Sequence, residues 1–224
     1  MSQPISDKIP KKGYQGKDFR SLGQYHQAIA VIRSPQLELG LAMAEAVAAG
    51  GIQLIEIIWN SHQPASLIRQ LRSQLPECTI GVGTILSVGQ LREAIAAGAQ
   101  FLFSPHVNLE LIQTAVSANV PIVPGALSPT EIVTAWQAGA SCVKVFPVQA
   151  VGGANYIKSL QGPLGEIPLI PTGGVTLDNA KAFIEAGAIA VGLSGELFPR
   201  ELIVASDWQR ITQRAAILCQ KLAK

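Results

Sequence analysis

Eight short apolar runs alternate with segments of helical spacing from residue 28 onward. The runs are AIAVIR (28–33), LIEIIW (54–59), TIGVGT (79–84), FLFSP (101–105), PIVPG (121–125), CVKVFP (142–147), LIPTGG (169–174) and AIAVGLS (188–194). Short, nearly continuous apolar runs are the pattern of strands covered on both faces, as in a parallel sheet. The segments between them include LELGLAMAEAVAAGG, ASLIRQLRSQL, VGQLREAIAAGA, NLELIQTAVSAN, SPTEIVTAWQAGA and TLDNAKAFIEAGA. Several end in Ala-Gly just before the next run, where a glycine suits the turn that stops a helix. Ser87, Ser128 and Thr176 stand at expected N-cap positions, and Glu131 completes a capping box with Ser128. Uninterrupted strand–helix alternation implies a parallel sheet with right-handed crossovers, and eight units close into a (β/α)8 TIM barrel of class α/β. An open doubly wound sheet would be expected to show a glycine-rich dinucleotide turn after the first strand. SPQLEL follows Arg33 instead. Residues 207–223 read as a last helix outside the ring.

The 224 residues suit a single domain, taken as 18–224, behind a polar leader at 1–17 that is rich in Pro, Gly and Lys and expected to be flexible. Hydrophobic residues make up 48% of the chain, yet no run approaches the ~18 apolar residues of a membrane span, and the leader lacks a signal-type apolar segment. The expected location is the cytoplasm, with no membrane partner. Net charge is +2 and the basic residues are scattered, which argues against a nucleic-acid surface. Charged residues are 14%, well under the ~25% of an average globular chain, so the strands are deeply buried, a subunit interface covers part of the surface, or both. Cys78, Cys142 and Cys219 have neither disulfide nor zinc spacing and read as small buried hydrophobes.

Barrels of this kind keep their chemistry at the C-terminal ends of the strands. Polar residues there are few: Arg33, Glu56, Thr84, Ser104-Pro105, Lys144 and Thr172-Gly173-Gly174. Lys144 lies between Val143 and Val145 with no adjacent carboxylate. A lysine removed from water favours its neutral amine, which is the form that attacks a ketone. The alternative is an outward lysine whose stem covers apolar surface. Glu56, among Leu54, Ile55, Ile57 and Ile58, must be paired or have its ionisation suppressed. It suits proton transfer, or structural pairing with an internal cation. Thr84 is either a carboxylate contact or a strand-end residue. Gly173-Gly174 and Ser194-Gly195 sit in loops that often hold phosphate, or simply make tight turns. His26, His62 and His106 form no metal motif, and His106, just after Pro105, either lines the pocket or has a structural role.

Taken together, IEII (55–58), GVGTIL (81–86), FSP (103–105), PIVPGALSPTE (121–131), VKVFP (143–147) and PTGGV (171–175) resemble, in order and spacing, the 2-keto-3-deoxy-6-phosphogluconate (KDPG) / 4-hydroxy-2-oxoglutarate (KHG) aldolase family. The resemblance spans about residues 28–199. It implies a class I lyase that needs neither metal nor cofactor and reversibly splits a 4-hydroxy-2-keto acid into pyruvate and an aldehyde, glyceraldehyde 3-phosphate or glyoxylate. It also implies Lys144 as the Schiff-base lysine and Glu56 as the acid/base carboxylate. Arg33 and Thr84 match substrate contacts, Pro105 and Phe146 match pocket walls, and a homotrimer is implied. The chain departs from the pattern twice. Asn60 replaces an arginine expected to grip the pyruvyl carboxylate, and an amide lacks the charge and bidentate fork of a guanidinium. Ser194-Gly195 replaces the usual Gly-Ser of the phosphate loop. Two other readings are compatible with the sequence: a barrel isomerase or epimerase of sugar phosphates, and a non-catalytic metabolite-binding descendant.

Overall fold

The computed structural model of the chain describes residues 19–223. The leader expected at 1–17 lies outside the described residues. Each apolar run becomes a parallel strand: β1 (Ala28–Ile32), β2 (Leu54–Ile58), β3 (Thr79–Gly83), β4 (Leu102–Ser104), β5 (Ile122–Ala126), β6 (Val143–Val145), β7 (Leu169–Pro171) and β8 (Val191–Leu193). The order round the sheet is β7-β6-β5-β4-β3-β2-β1-β8. The ring closes between β7 and β8 through the Ile189 N–H to Leu169 carbonyl bond and a Thr172–Gly192 bridge. The strands are shorter than the apolar runs because the last residues of several runs leave the ladder for the loops above it. Arg33, Pro105, Phe146 and Ser194 are among them.

Helices α2 (Leu37–Ala49), α3 (Pro64–Gln74), α4 (Val88–Ala96), α5 (Leu109–Ser117), α6 (Pro129–Gln137) and α8 (Ala180–Glu185) coincide with expected segments, and α10 (Trp208–Leu222) is the expected final helix. Ser87 caps α4, and Ser128 and Glu131 form the full capping box of α6. Thr176 does not cap α8 directly: its Oγ1 accepts from Asn179 N–H in a turn that precedes the helix. Three helices were not anticipated. α1 (Phe19–His26) and α7 (Ala154–Leu164) carry internal breakers, Gly23 in one and Gly162-Pro163 in the other, and α9 (Arg200–Val204) is a single turn and a half.

Period-two alternation divides each strand between two cores. Outward residues such as Ile55, Ile57, Val143 and Val145 pack with the helices. Inward residues make a second cluster: Ile29 and Val31, Leu54 and Ile58, Phe101 and Phe103, Val123, Cys142 and Ile170. Phe19 of α1 joins this inner core, its ring centroid 4.8 Å from that of Phe101. Cys78 and Cys142 are buried, as expected, and Cys219 is partly buried.

Candidate active site

Glu56 sits between Leu54 and Ile58, both in the inner core, so its side chain points into the barrel. Lys144 stands two residues after Cys142, also in the inner core, and points inward by the same rule. Glu56 is 1% exposed and Lys144 6%, an unusual degree of burial for either type. The strands fix their heights: Glu56 pairs with Val31 and Gly81, Lys144 with Gly125 and Ile170.

The two groups interact without forming a close ion pair. Among the described residues the ion pairs within 4.0 Å are Arg210–Asp207, Arg214–Glu196 and Lys221–Asp178. Burial pushes the Glu56 carboxyl above the usual carboxylate range, and the positive charge of Lys144 pulls part of the way back. Its Oε1 is buried and has no hydrogen-bond partner among the described residues. An unsatisfied carboxylate oxygen costs free energy on folding, so a reacting group that can share a proton with it is a natural occupant of the space beside it. Lys144 Nζ lies 5.5 Å from the Phe103 ring centre and 5.0 Å from that of Phe146, within cation–π range of both rings.

Above this floor opens a cavity of about 510 Å³, within the usual range for small-molecule sites. Lys144, Arg33, Thr84, Pro105, Phe146, Gly173, Gly174, Ser194 and Gly195 all line it. The structure thus brings together nearly all the residues singled out in the sequence. Glu56 lies in the barrel interior and does not line the cavity. Asn60 is exposed and does not line it either. It stands in a loop tied to the β1 loop by Ser34 N–H donating to Ser61 Oγ and His62 N–H donating to the Ser34 carbonyl. His106 is exposed and outside the lining, and its carbonyl accepts from Ser104 Oγ. No three His, Cys, Asp or Glu side chains converge as a metal set among the described residues.

Three features went unread in the sequence. Thr84 holds φ at +60°, a conformation that a β-branched residue adopts only under strain, of order 1–3 kcal/mol. Gly83 lies against Glu56, and a Cβ built there would overlap Oε1 and crowd the rest of the carboxyl group. Glu196 lines the cavity at the loop after β8. The first is invisible without backbone angles. The GVGT run that holds Gly83 and the Ser194-Gly195-Glu196 stretch were at least in view.

A buried amine, a carboxyl group whose proton is held tightly, and a cation together with a strained hydroxyl at the mouth can form an imine with a keto acid and move protons around it. Comparison with known proteins agrees with this chemistry. Residues 21–214 match the family described as KDPG and KHG aldolase. The chain is 31% identical to the 2-dehydro-3-deoxy-phosphogluconate aldolase of Dickeya dadantii over 84% of its length and 88% of that protein. It is 30% identical to the KHG/KDPG aldolase of Escherichia coli K12 over the same shares. The crystal structure of KDPG aldolase from Legionella pneumophila, with pyruvate captured at low pH as a covalent carbinolamine intermediate, superposes with a TM-score of 0.83. That match has 29% identity and covers 89% of this chain and 97% of the other.

Proposed function

Because the chain belongs to the KDPG and KHG aldolase family, we propose that it is a class I aldolase cleaving 4-hydroxy-2-keto acids, KDPG and/or KHG, to pyruvate and an aldehyde, with Lys144 as the Schiff-base lysine. The observation that carries this reading is the inward, buried placement of Lys144 beside Glu56 under a cavity that fits a small keto acid.

The neutral amine of Lys144 attacks the C2 carbonyl and gives a carbinolamine, and loss of water leaves a protonated imine. Glu56 handles the proton in both steps, giving it to the departing hydroxyl as an acid. As a base, it then takes the proton of the C4 hydroxyl by way of the water released in imine formation, since Glu56 lies behind the cavity lining, and the C3–C4 bonding electrons move into the imine to form an enamine. The aldehyde leaves. Protonation of the enamine at C3 and hydrolysis of the imine return pyruvate and free Lys144. A carboxyl group whose pKa is raised by burial suits this double duty, since it keeps its proton more readily than an exposed carboxylate and can still give it up.

Arg33 and Thr84 hold the keto-acid carboxylate, Pro105 and Phe146 form the walls, and the loops containing Gly173, Gly174, Ser194 and Gly195 receive the distal end of the substrate. Asn60 is exposed and outside the cavity lining, whereas Arg33 lines it and supplies the charge that the family arginine would have carried. We read the enzyme as a cytoplasmic homotrimer. Leu86, Leu109 and Val116 leave large apolar surface exposed on successive units, which supports a subunit interface. No helix among the described residues is long and apolar enough to cross a membrane.

The test is pyruvate release from KDPG and from KHG, followed by coupled reduction of the pyruvate. Turnover by the wild type and its loss, by about a thousandfold or more, in Lys144→Met support the reading. Turnover that survives in Lys144→Met would exclude Lys144 as the covalent group.

A further inference from the structure

In barrels of this kind the loops after the seventh and eighth strands commonly offer backbone N–H groups to a substrate phosphate. Here two of those N–H groups already have acceptors within the chain. Thr176 N–H donates to Asn179 Oδ1 at 2.7 Å, and Leu177 N–H donates to Glu196 Oε2 at 3.5 Å. Asn179 Nδ2 in turn donates to the Gly174 carbonyl at 2.9 Å, which ties the loop to its own cap. Thr176, whose N–H is already satisfied by the Asn179 side chain, lines the cavity, and Glu196 lines it too and contacts that loop through Leu177 N–H.

The charge around that carboxylate points the same way. Glu196 lines the cavity together with Gly173, Gly174, Ser194 and Gly195, whereas the Arg214 that pairs with it does not line it. Arg214 Nη2 is 3.6 Å from Glu196 Oε2, and Arg214 Nε donates to the Glu196 carbonyl at 2.7 Å. Arg214 thus anchors the loop, and the member of the pair that faces a bound molecule is the anion. Glu196 is also only partly exposed, so solvent screens it incompletely. A phosphate dianion placed among these loops meets like charge, while a neutral hydroxyl finds an acceptor.

We propose that Glu196 is a specificity-determining residue that turns the distal end of the cavity away from a terminal phosphate and toward neutral hydroxyl groups. The preferred substrate is then an unphosphorylated 4-hydroxy-2-keto acid with a hydroxylated tail. This rests on the aldolase reading of the cavity and narrows its substrate class.

The experiment runs the reaction in the condensing direction, with pyruvate and either D-glyceraldehyde or D-glyceraldehyde 3-phosphate, for the wild type and for Glu196→Gln. The wild type is expected to favour the unphosphorylated aldehyde in kcat/KM, and Glu196→Gln to shift the ratio toward the phosphorylated one by about tenfold or more. Wild-type preference for the phosphorylated aldehyde, or a ratio that Glu196→Gln leaves unchanged, would overturn the proposal. Borohydride trapping of pyruvate on both proteins separates this from failure of the aldolase reading, which would show as no adduct on either. In that event calorimetric titration with inorganic phosphate still decides: tighter binding by Glu196→Gln than by the wild type supports the proposal, and equal binding overturns it.

Discussion

At the scale of single residues, the account turns on a carboxyl group whose proton is unusually hard to remove. Folding takes Glu56 out of water, which raises its pKa above the ordinary value of 4.5, and Lys144 only partly offsets the shift. Between the ordinary value and the raised one, the folded protein holds a proton that the unfolded chain has lost. Stability therefore falls as pH rises through that window. Glu56→Gln removes the titration, so thermal melts of the variant are expected to lose this pH-dependent decline relative to the wild type. The alkaline limb of the kcat/KM profile that reports loss of the Glu56 proton should disappear with it, along with most of the activity. Persistence of both features in the variant would assign them to another group. Gly83 tests the same geometry from its neighbour. Gly83→Ala introduces a methyl where the Glu56 carboxyl lies, so kcat is expected to fall by about a hundredfold or more while the pyruvate adduct on Lys144 still forms. Full activity in that variant would show that the position of Glu56 matters little.

At the scale of elements, side-chain caps start α4, α5 (Leu109–Ser117), α6 and α10. The capping box of α6 is the most complete: Glu131 Oε2 accepts from Leu127 N–H at 2.8 Å and Ser128 N–H at 2.7 Å, and Ser128 Oγ accepts from Glu131 N–H. These backbone bonds lower the Glu131 pKa. Ser128→Ala is expected to cost about 1 kcal/mol in denaturant unfolding, with kcat unchanged because neither Leu127 nor Ser128 lines the cavity. A loss of activity without a loss of stability would place Ser128 in the site instead. Most of this was legible in the sequence. Strand periodicity places Cys142, Lys144 and Phe146 on one face of the sixth run and Leu54, Glu56 and Ile58 on one face of the second, and Cys142, Leu54 and Ile58 lie in the inner core. Strand ends were less legible, because apolar residues such as Phe146 continue past the ladder to wall the cavity. Helices α1 and α7 were hidden by the glycines and proline they contain, and were stabilised by packing that no local pattern reports.

At the scale of the whole molecule, the barrel is held shut from outside as well as within. The final helix, α10, reaches both ends of the chain's circuit. Thr212 Oγ1 donates to the Ala46 carbonyl in α2, and Lys221 pairs with Asp178 at 2.8 Å just before α8. The approach to α2 depends on Gly50, where a Cβ would meet the Thr212 carbonyl and the Ala215 methyl at 2.5 Å. Gly50→Ala is thus expected to destabilise the protein by about 1–3 kcal/mol, read as a lower denaturation midpoint with little change in KM. An unchanged midpoint would mean that α10 can shift outward freely. The same strap carries Arg214, which holds the loop after β8 through the Glu196 carbonyl, so the clasp of the barrel and the anchor of that loop share one helix.

The central claim is that Lys144 forms an imine with a keto acid, and borohydride reduction in the presence of pyruvate, read by peptide mass spectrometry, tests it most directly. The account predicts a reduced pyruvyl adduct on the peptide carrying Lys144 and its absence in Lys144→Met. An adduct on another lysine, or none at saturating pyruvate, would contradict it.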